Sequence, residues 1–338
     1  EPEARSPKSP RVPDYYTSEF DNGIKLIGTE YSELPKVFLR LKIDGGNFLE
    51  ETKRVGLSAI TAELMNESTK NYTSEQMEKE LSKLGSEISF SSEGRSTVVV
   101  ITSLTKNLDK TLLLLEEKLF QPAFSNDDLK RVKKQFIELT NANQKNANYV
   151  AGARFNKILF GETPFGLDLS EQTVNKIKIK NIQSFYNENY SPTVSNITVV
   201  GDISKDELLP KLDFLNKWKK KTVNIPSNFT FPTDKETQIY LVDKPGSSQS
   251  VIFMGHKSNK YDVDGEFFKS KIMNYPLGGG ASARLFLNLR EDKGYTYGVY
   301  SFFNGDKDIG AFVVFSSVKT EATDSALVEI LSEIENYT

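Results

Sequence analysis

Residues Leu277–Ser301 read LGGGASARLFLNLREDKGYTYGVYS. Three glycines in a row open an amphipathic segment that closes on Arg290-Glu291, and Tyr295-Thr296-Tyr297 follows at once. A glycine run lets a backbone come close to a neighbour, because no Cβ stands in the way. Arg290 at a helix end and Tyr297 in the strand after it are both hydrogen-bond donors, a pair suited to a polar ligand. Gly278, Gly279 and Gly280 predict a tight turn that brings the helix against a sheet, or lets a peptide pass near the backbone. Gly278 to Ala283 also fits the dinucleotide pattern G-x-G-x-x-A. No apolar strand leads into it, however, and no β-α-β unit surrounds it, so a cofactor loop is the poorer reading.

Around this stretch the chain repeats a pattern. Strands are expected at Ile24–Thr29 and Val37–Ile43, where apolar residues alternate, and helices at Val55–Asn66 and Ser74–Leu84. Strands at Glu87–Ser91 and Ser96–Leu104 and a helix over Leu108–Phe120 complete the first copy. Further helices are expected at Asp127–Asn141, Asn146–Phe160 and Val174–Asn189, with a strand at Asn196–Val200. The same order returns with strands at Gln238–Val242 and Ser250–Gly255 and helices at Phe267–Tyr275 and Ala281–Arg290. Strands at Tyr295–Phe303 and Gly310–Val318 and a helix at Thr323–Glu335 follow. Strands joined by short turns with helices grouped between them predict an α+β fold: two repeated domains, each an antiparallel sheet with helices on one face. The expected boundaries are a Pro/Ser-rich tail over 1–17, a first repeat over 18–222, a linker over 223–236 and a second repeat over 237–338. The second copy stops after its third helix, so it is expected to lack its last strand and several helices.

Bulk chemistry narrows the function. The chain has 338 residues, 38% of them hydrophobic, a net charge of −3 and no cysteine. Disulfides, thiolate metal sites and a cysteine nucleophile are thereby excluded. No charge excess draws it to nucleic acid, and no apolar run approaches the ~18 residues of a membrane span. The single histidine, His256, reads as a strand-end residue at a sheet rim, and a His-based zinc site is nearly closed off.

Leu277-Gly278-Gly279, Ser282, Arg284-Leu285, Leu289-Arg290-Glu291, Gly294 and Tyr297 together resemble the C-terminal-domain signature of the insulinase/pitrilysin metallopeptidases, including their processing-peptidase-like bacterial members. NGIKLIGTE near the start, the Gly45-Gly46 turn, FGETPFG at 160–166 and VVGDIS at 199–204 extend the resemblance from Phe20 onward. The family's inverted motif H-x-x-E-H lies on the first long helix, two histidines holding zinc and the glutamate activating its water. Here that helix is the segment 56–69, GLSAITAELMNEST, and the motif positions carry Ala59, Ala62 and Glu63. The family's distal zinc carboxylate would fall near Glu138. The resemblance therefore implies a pseudo-peptidase half, with no zinc in this chain and zinc in a homologous partner half or subunit. It implies that Arg290 and Tyr297 reach toward the carbonyl of an unfolded peptide that adds as a strand to a sheet edge. The partner is then a separate chain or part of one longer polypeptide; a homodimer is a further arrangement. The alternative is a peptide-holding or structural scaffold subunit with no part in hydrolysis. The bacterial flavour of the resemblance, the tail and a start without Met suggest the periplasm or cell envelope.

Overall fold

A computed structural model describes residues 12–233 and 236–337. Residues 1–11 of the expected tail, 234–235 of the expected linker and the last residue of the second repeat lie outside the described residues. The chain forms two compact units, one comprising the described residues up to Ile137 with Ser170–Ile225, the other Glu138–Leu169 with Pro226 onward.

The first unit is built on six strands: β1 (Tyr16–Glu19), β2 (Lys25–Glu30), β3 (Lys36–Asp44), β4 (Glu87–Glu93), β5 (Ser96–Leu104) and β6 (Ser195–Gly201). They lie in the order β1-β2-β6-β3-β5-β4. Every neighbouring pair is antiparallel except β2 with β6, which is parallel because a long helical excursion separates them in sequence. Period-2 alternation on β3 buries Val37, Leu39, Leu41 and Ile43 on one face and turns Lys36, Phe38, Arg40 and Lys42 to the other. The helices are α1 (Leu57–Asn66), α2 (Ser74–Leu84), α3 (Leu108–Phe120), the first part of α4 (Asn126–Asn143), α6 (Glu171–Lys176), α7 (Ile179–Asn189) and α8 (Lys205–Lys211).

Three local features depart from the sequence reading. Strand β1 has the sequence YTSE, with no apolar alternation to announce it. The helix expected over Val174–Asn189 divides into α6 and α7. Ile177 is drawn into the core, and the Lys178 N–H is taken by the Asn181 side chain at 2.9 Å, a new helix start. Helix α8 was not anticipated, although Ser204 and Glu207 form a capping box at its start.

In the second unit α5 (Ala147–Phe160) joins β7 (Gln249–Ser258), α9 (Glu266–Gly278), the short α10 (Arg284–Phe286), β8 (Thr296–Gly305), β9 (Gly310–Lys319) and α11 (Thr323–Glu335). The sheet is antiparallel in the order β7-β9-β8. Phe312, Val314 and Val318 of β9 pack with Leu277, Leu285, Leu289 and Ile330. Ala311 and Val313 point the other way, to a cluster with Leu159 and Phe160 of α5. This sheet is thus covered on both faces, which explains the uninterrupted apolar run AFVVF in β9.

The strand expected at Gln238–Val242 does not form; the segment is coil. Ile239 is 84% exposed and Leu241 90% exposed. In the first unit the matching strand, β2, exists by pairing with β6, and no strand follows α11 among the described residues. A strand-like sequence without a neighbour has nowhere to send its backbone hydrogen bonds.

Candidate substrate-contact site

The Gly278 turn works by contact distance. A Cβ built on Gly278 would stand 2.3 Å from Ser301 Oγ and 2.6 Å from the Ser301 backbone nitrogen, so only glycine lets α9 lie this close to β8. The approach is fastened by a buried pair. Asn274 Nδ2 donates to the Ser301 carbonyl at 2.7 Å, and Ser301 Oγ donates to Asn274 Oδ1 at 2.6 Å. Gly279 is nearly as tight, its Cβ position 2.8 Å from Tyr275 Cα, whereas a Cβ on Gly280 would meet only Tyr275 Oη, at an ordinary 3.9 Å. A helix, not a strand, leads into the glycines, so the dinucleotide reading has no structural basis.

Beyond the glycines the expected helix Ala281–Arg290 is realised only as α10, followed by a π-helical stretch over Leu287–Asp292. The Lys293 N–H reaches the Asn288 carbonyl at 2.9 Å, the longer loop of a π-turn. Such widened turns recur at functional positions. Arg290 sits in this stretch, half-exposed, with its guanidinium 2.5 Å from Glu291 and 5.0 Å above the Phe286 ring. Among the described residues it makes no hydrogen bond to helix-end carbonyls.

Tyr297 is held by a second irregularity. Thr296 pairs with Val318 and Val299 with Ser316, so three steps along β8 match two along β9: one extra residue, a β-bulge. The bulge is fastened internally. Thr296 Oγ1 donates to the Ser317 carbonyl at 2.6 Å, the Gly298 N–H donates to Thr296 Oγ1 at 3.1 Å, and Ser316 Oγ donates to the Gly298 carbonyl at 3.0 Å. Tyr297 is 88% exposed as a result, while Tyr295 packs against the core. Bulges re-aim side chains next to active sites. The bulge was missed from sequence; Gly298 directly after Tyr297 was its available signal. His256 lies within β7, exposed, its Nδ1 2.7 Å from the Lys257 carbonyl, consistent with a rim residue.

The zinc-motif helix is α1. Ala59 is half-buried and Ala62 fully buried; neither carries a donor atom. Glu63 is half-buried beside Asn66, whose Nδ2 lies 3.4 Å from it. Among the described residues no group of three His, Cys, Asp or Glu is gathered as a metal would need. Zinc therefore does not fit this donor set: one carboxylate replaces two imidazoles and a base. Glu138, the expected distal ligand position, lies on α4. Treating the protein with a strong chelator is expected to leave its melting temperature unchanged, measured by scanning calorimetry.

What holds α1 instead is charge at its two ends. Glu50 accepts from the Gly56 and Ser58 N–H groups at 2.9 and 2.6 Å, and burial pushes its carboxyl up despite those bonds. At the other end the buried Lys118 of α3 donates to the Asn66 and Met65 carbonyls at 2.8 and 3.4 Å. Both signs complement the helix dipole. Burial lowers the Lys118 ammonium to about 8, with Glu67 opposing the drop. The unfolded lysine, near 10.4, binds its proton more tightly, so stability rises with pH between about 8 and 10. The span corresponds to about 3 kcal/mol at most. Urea titrations at several pH values should show that rise in the wild type and its loss in Lys118→Met.

The site thus belongs to a two-sheet α+β protein whose expected zinc-motif positions bear no set of metal ligands among the described residues. Residues 27–173 match Insulinase (Peptidase family M16), and residues 176–338 match the Peptidase M16 inactive domain. The chain belongs to this insulinase-like family, as a non-catalytic member. It is similar to a Helicobacter pylori protein named non-peptidase homolog YmxG, 22% identical over 310 residues, 90% of this chain and 71% of that one. A Rickettsia felis protein named an uncharacterized zinc protease is 20% identical over 327 residues, 96% of this chain and 78% of its own length. The crystal structure of a peptidase M16 inactive domain from Pseudomonas fluorescens matches with a TM-score of 0.85 at 22% identity, covering 96% of this chain and 79% of that chain. The last likeness speaks to the fold.

Proposed function

We propose that this chain is the non-catalytic half of a two-part zinc endopeptidase, closing over a zinc-bearing homologous half and offering Arg290 and Tyr297 to an unfolded peptide. The zinc and the hydrolytic water belong to that other half. One observation carries the reading: both donors sit on backbone irregularities, a π-turn and a fastened bulge, and Tyr297 is 88% exposed with no hydrogen bond among the described residues. A strand tyrosine serving only the core would face inward like Tyr295. An exposed phenol and a guanidinium seven residues apart in sequence gain their value when a partner removes water from them.

A bacterial envelope location fits the bacterial relatives. No helix among the described residues is long and apolar enough to cross a membrane. The test is reconstitution with a zinc-bearing homologue and a fluorogenic peptide. Cleavage that ignores substitution of both Arg290 and Tyr297 would assign the chain to a scaffold role instead.

A further inference from the structure

Strand β4 is an edge strand, paired with β5 on one side only. Its residue Phe90 sends its N–H and C=O away from β5, because both groups are taken from the other side by one side chain. The Phe90 N–H donates to Asn66 Oδ1 at 2.7 Å, and Asn66 Nδ2 donates to the Phe90 carbonyl at 2.9 Å. That is the pair of bonds a neighbouring strand would make to a residue of the non-hydrogen-bonded kind. The carboxamide at the end of α1 therefore stands in for a strand.

The second unit repeats half of the device: its asparagine takes the edge-strand carbonyl, and its Oδ1 accepts from the serine hydroxyl instead of the strand N–H. Phe90 lies opposite Val99, which lies opposite Leu41; Ser301 lies opposite Val314, which lies opposite Met254. Val99 and Val314 each precede the start of the following long helix, Leu108 or Thr323, by the same interval. At this matching point Asn274, on the first helix of its repeat, takes the carbonyl of Ser301 on edge strand β8. Exposed edge strands are open templates for pairing unless something covers them.

We infer that Asn66 and Asn274 are edge locks, and that Asn66 closes β4 of this chain to strand addition by a peptide. Backbone capture of the substrate then falls to the zinc-bearing half, and this half contributes side-chain donors alone. The inference rests on the proposed peptide-handling role, but it is read on the isolated chain, so its failure and that of the Arg290/Tyr297 reading are distinguishable.

The experiment is residue-resolved hydrogen exchange with and without an extended synthetic peptide of alternating valine and threonine, lysine at each end. In the wild type the Phe90 amide should exchange at least about tenfold more slowly than those of Ile88 and Ser92 on the same edge, since only Phe90 has a built-in acceptor. The peptide should add no protection to β4. In Asn66→Ala the Phe90 amide should lose its protection and regain it when peptide is added, with an affinity gain of about tenfold over wild type. The inference is overturned by peptide protection of β4 in the wild type, by equal exchange at the three wild-type amides, or by a folded Asn66→Ala that takes no peptide. Should Asn66→Ala fail to fold, the wild-type comparison of Phe90 with Ile88 and Ser92, with and without peptide, decides alone.

Discussion

Tyr297→Phe, assayed with a zinc-bearing partner half, is expected to lower kcat for a fluorogenic peptide by about a hundredfold or more while leaving KM nearly unchanged. The substitution removes one oxygen and nothing else. Because that oxygen has no hydrogen bond among the described residues and the ring is 88% exposed, the fold does not register its loss. A donor aimed at charge that develops only in the transition state is worth ~2.7–4 kcal/mol in a closed site, and its loss appears in kcat. Arg290→Ala should fall by a similar factor. Its structural cost is small, for it forfeits an exposed ion pair with Glu291 and a stack on Phe286, together about 1 kcal/mol. The two donors would serve one oxyanion, so the double variant should lose less than the product of the single losses. Unchanged melting temperatures beside hundredfold slower cleavage would distinguish a substrate contact from a structural role. Full activity in both variants would end the proposal.

How much of this was legible in sequence depended on whether the signal was local. Helices α1, α2 and α3 and strand β3 carry periodic apolar patterns, strands β5 and β9 carry short continuous apolar runs, and the structure forms all six where the sequence put them. The breaks came where a neighbour decides. Gln238–Val242 has strand composition but no strand beside it; YTSE has none of that composition, yet β1 forms because β2 offers an edge. Arg290, Tyr297 and the glycines stood out because their types and spacing carry chemistry, and their role at a substrate is our proposal. Their settings were hidden, since a π-turn and a bulge are choices among nearly equal backbone registers. Ala59, Ala62 and Glu63 stand at the motif positions only by the family resemblance, which is what implied a helix without zinc ligands. The groups that fasten the ends of α1 have no sequence motif: Glu50 acts from six to eight residues away, and Lys118 from more than fifty. Asn66 and Asn274 escaped notice for the same reason: a helix asparagine is unremarkable until the strand it meets is known.

Gly278→Val is expected to destabilise the second unit by about 4 kcal/mol, enough to consume much of the stability of an ordinary domain. The argument runs through what cannot move. The new Cβ would stand 2.6 Å from the Ser301 backbone nitrogen and 2.9 Å from Leu285 Cδ1, on top of the 2.3 Å clash with Ser301 Oγ. The hydroxyl can rotate away, but the β8 backbone is fixed by its ladder to β9, so α9 must lift. Lifting it parts Asn274 from Ser301, leaving two buried polar groups without partners at about 1–3 kcal/mol each. It also opens the cluster in which Leu277, Leu285 and Val299 meet, adding a packing loss. Gly280→Ala is the control from the same glycine run. Its nearest neighbour would be Tyr275 Oη at 3.9 Å, so the change should be within about 0.5 kcal/mol of neutral. The probe must be local, because Trp218, the single tryptophan, belongs to the first unit. Exchange of the β8 amides against urea reports the second unit directly. A Gly278→Val protein whose β8 amides stay as protected as the wild type's would mean that α9 does not rest on Ser301, and the glycine run would then need another explanation.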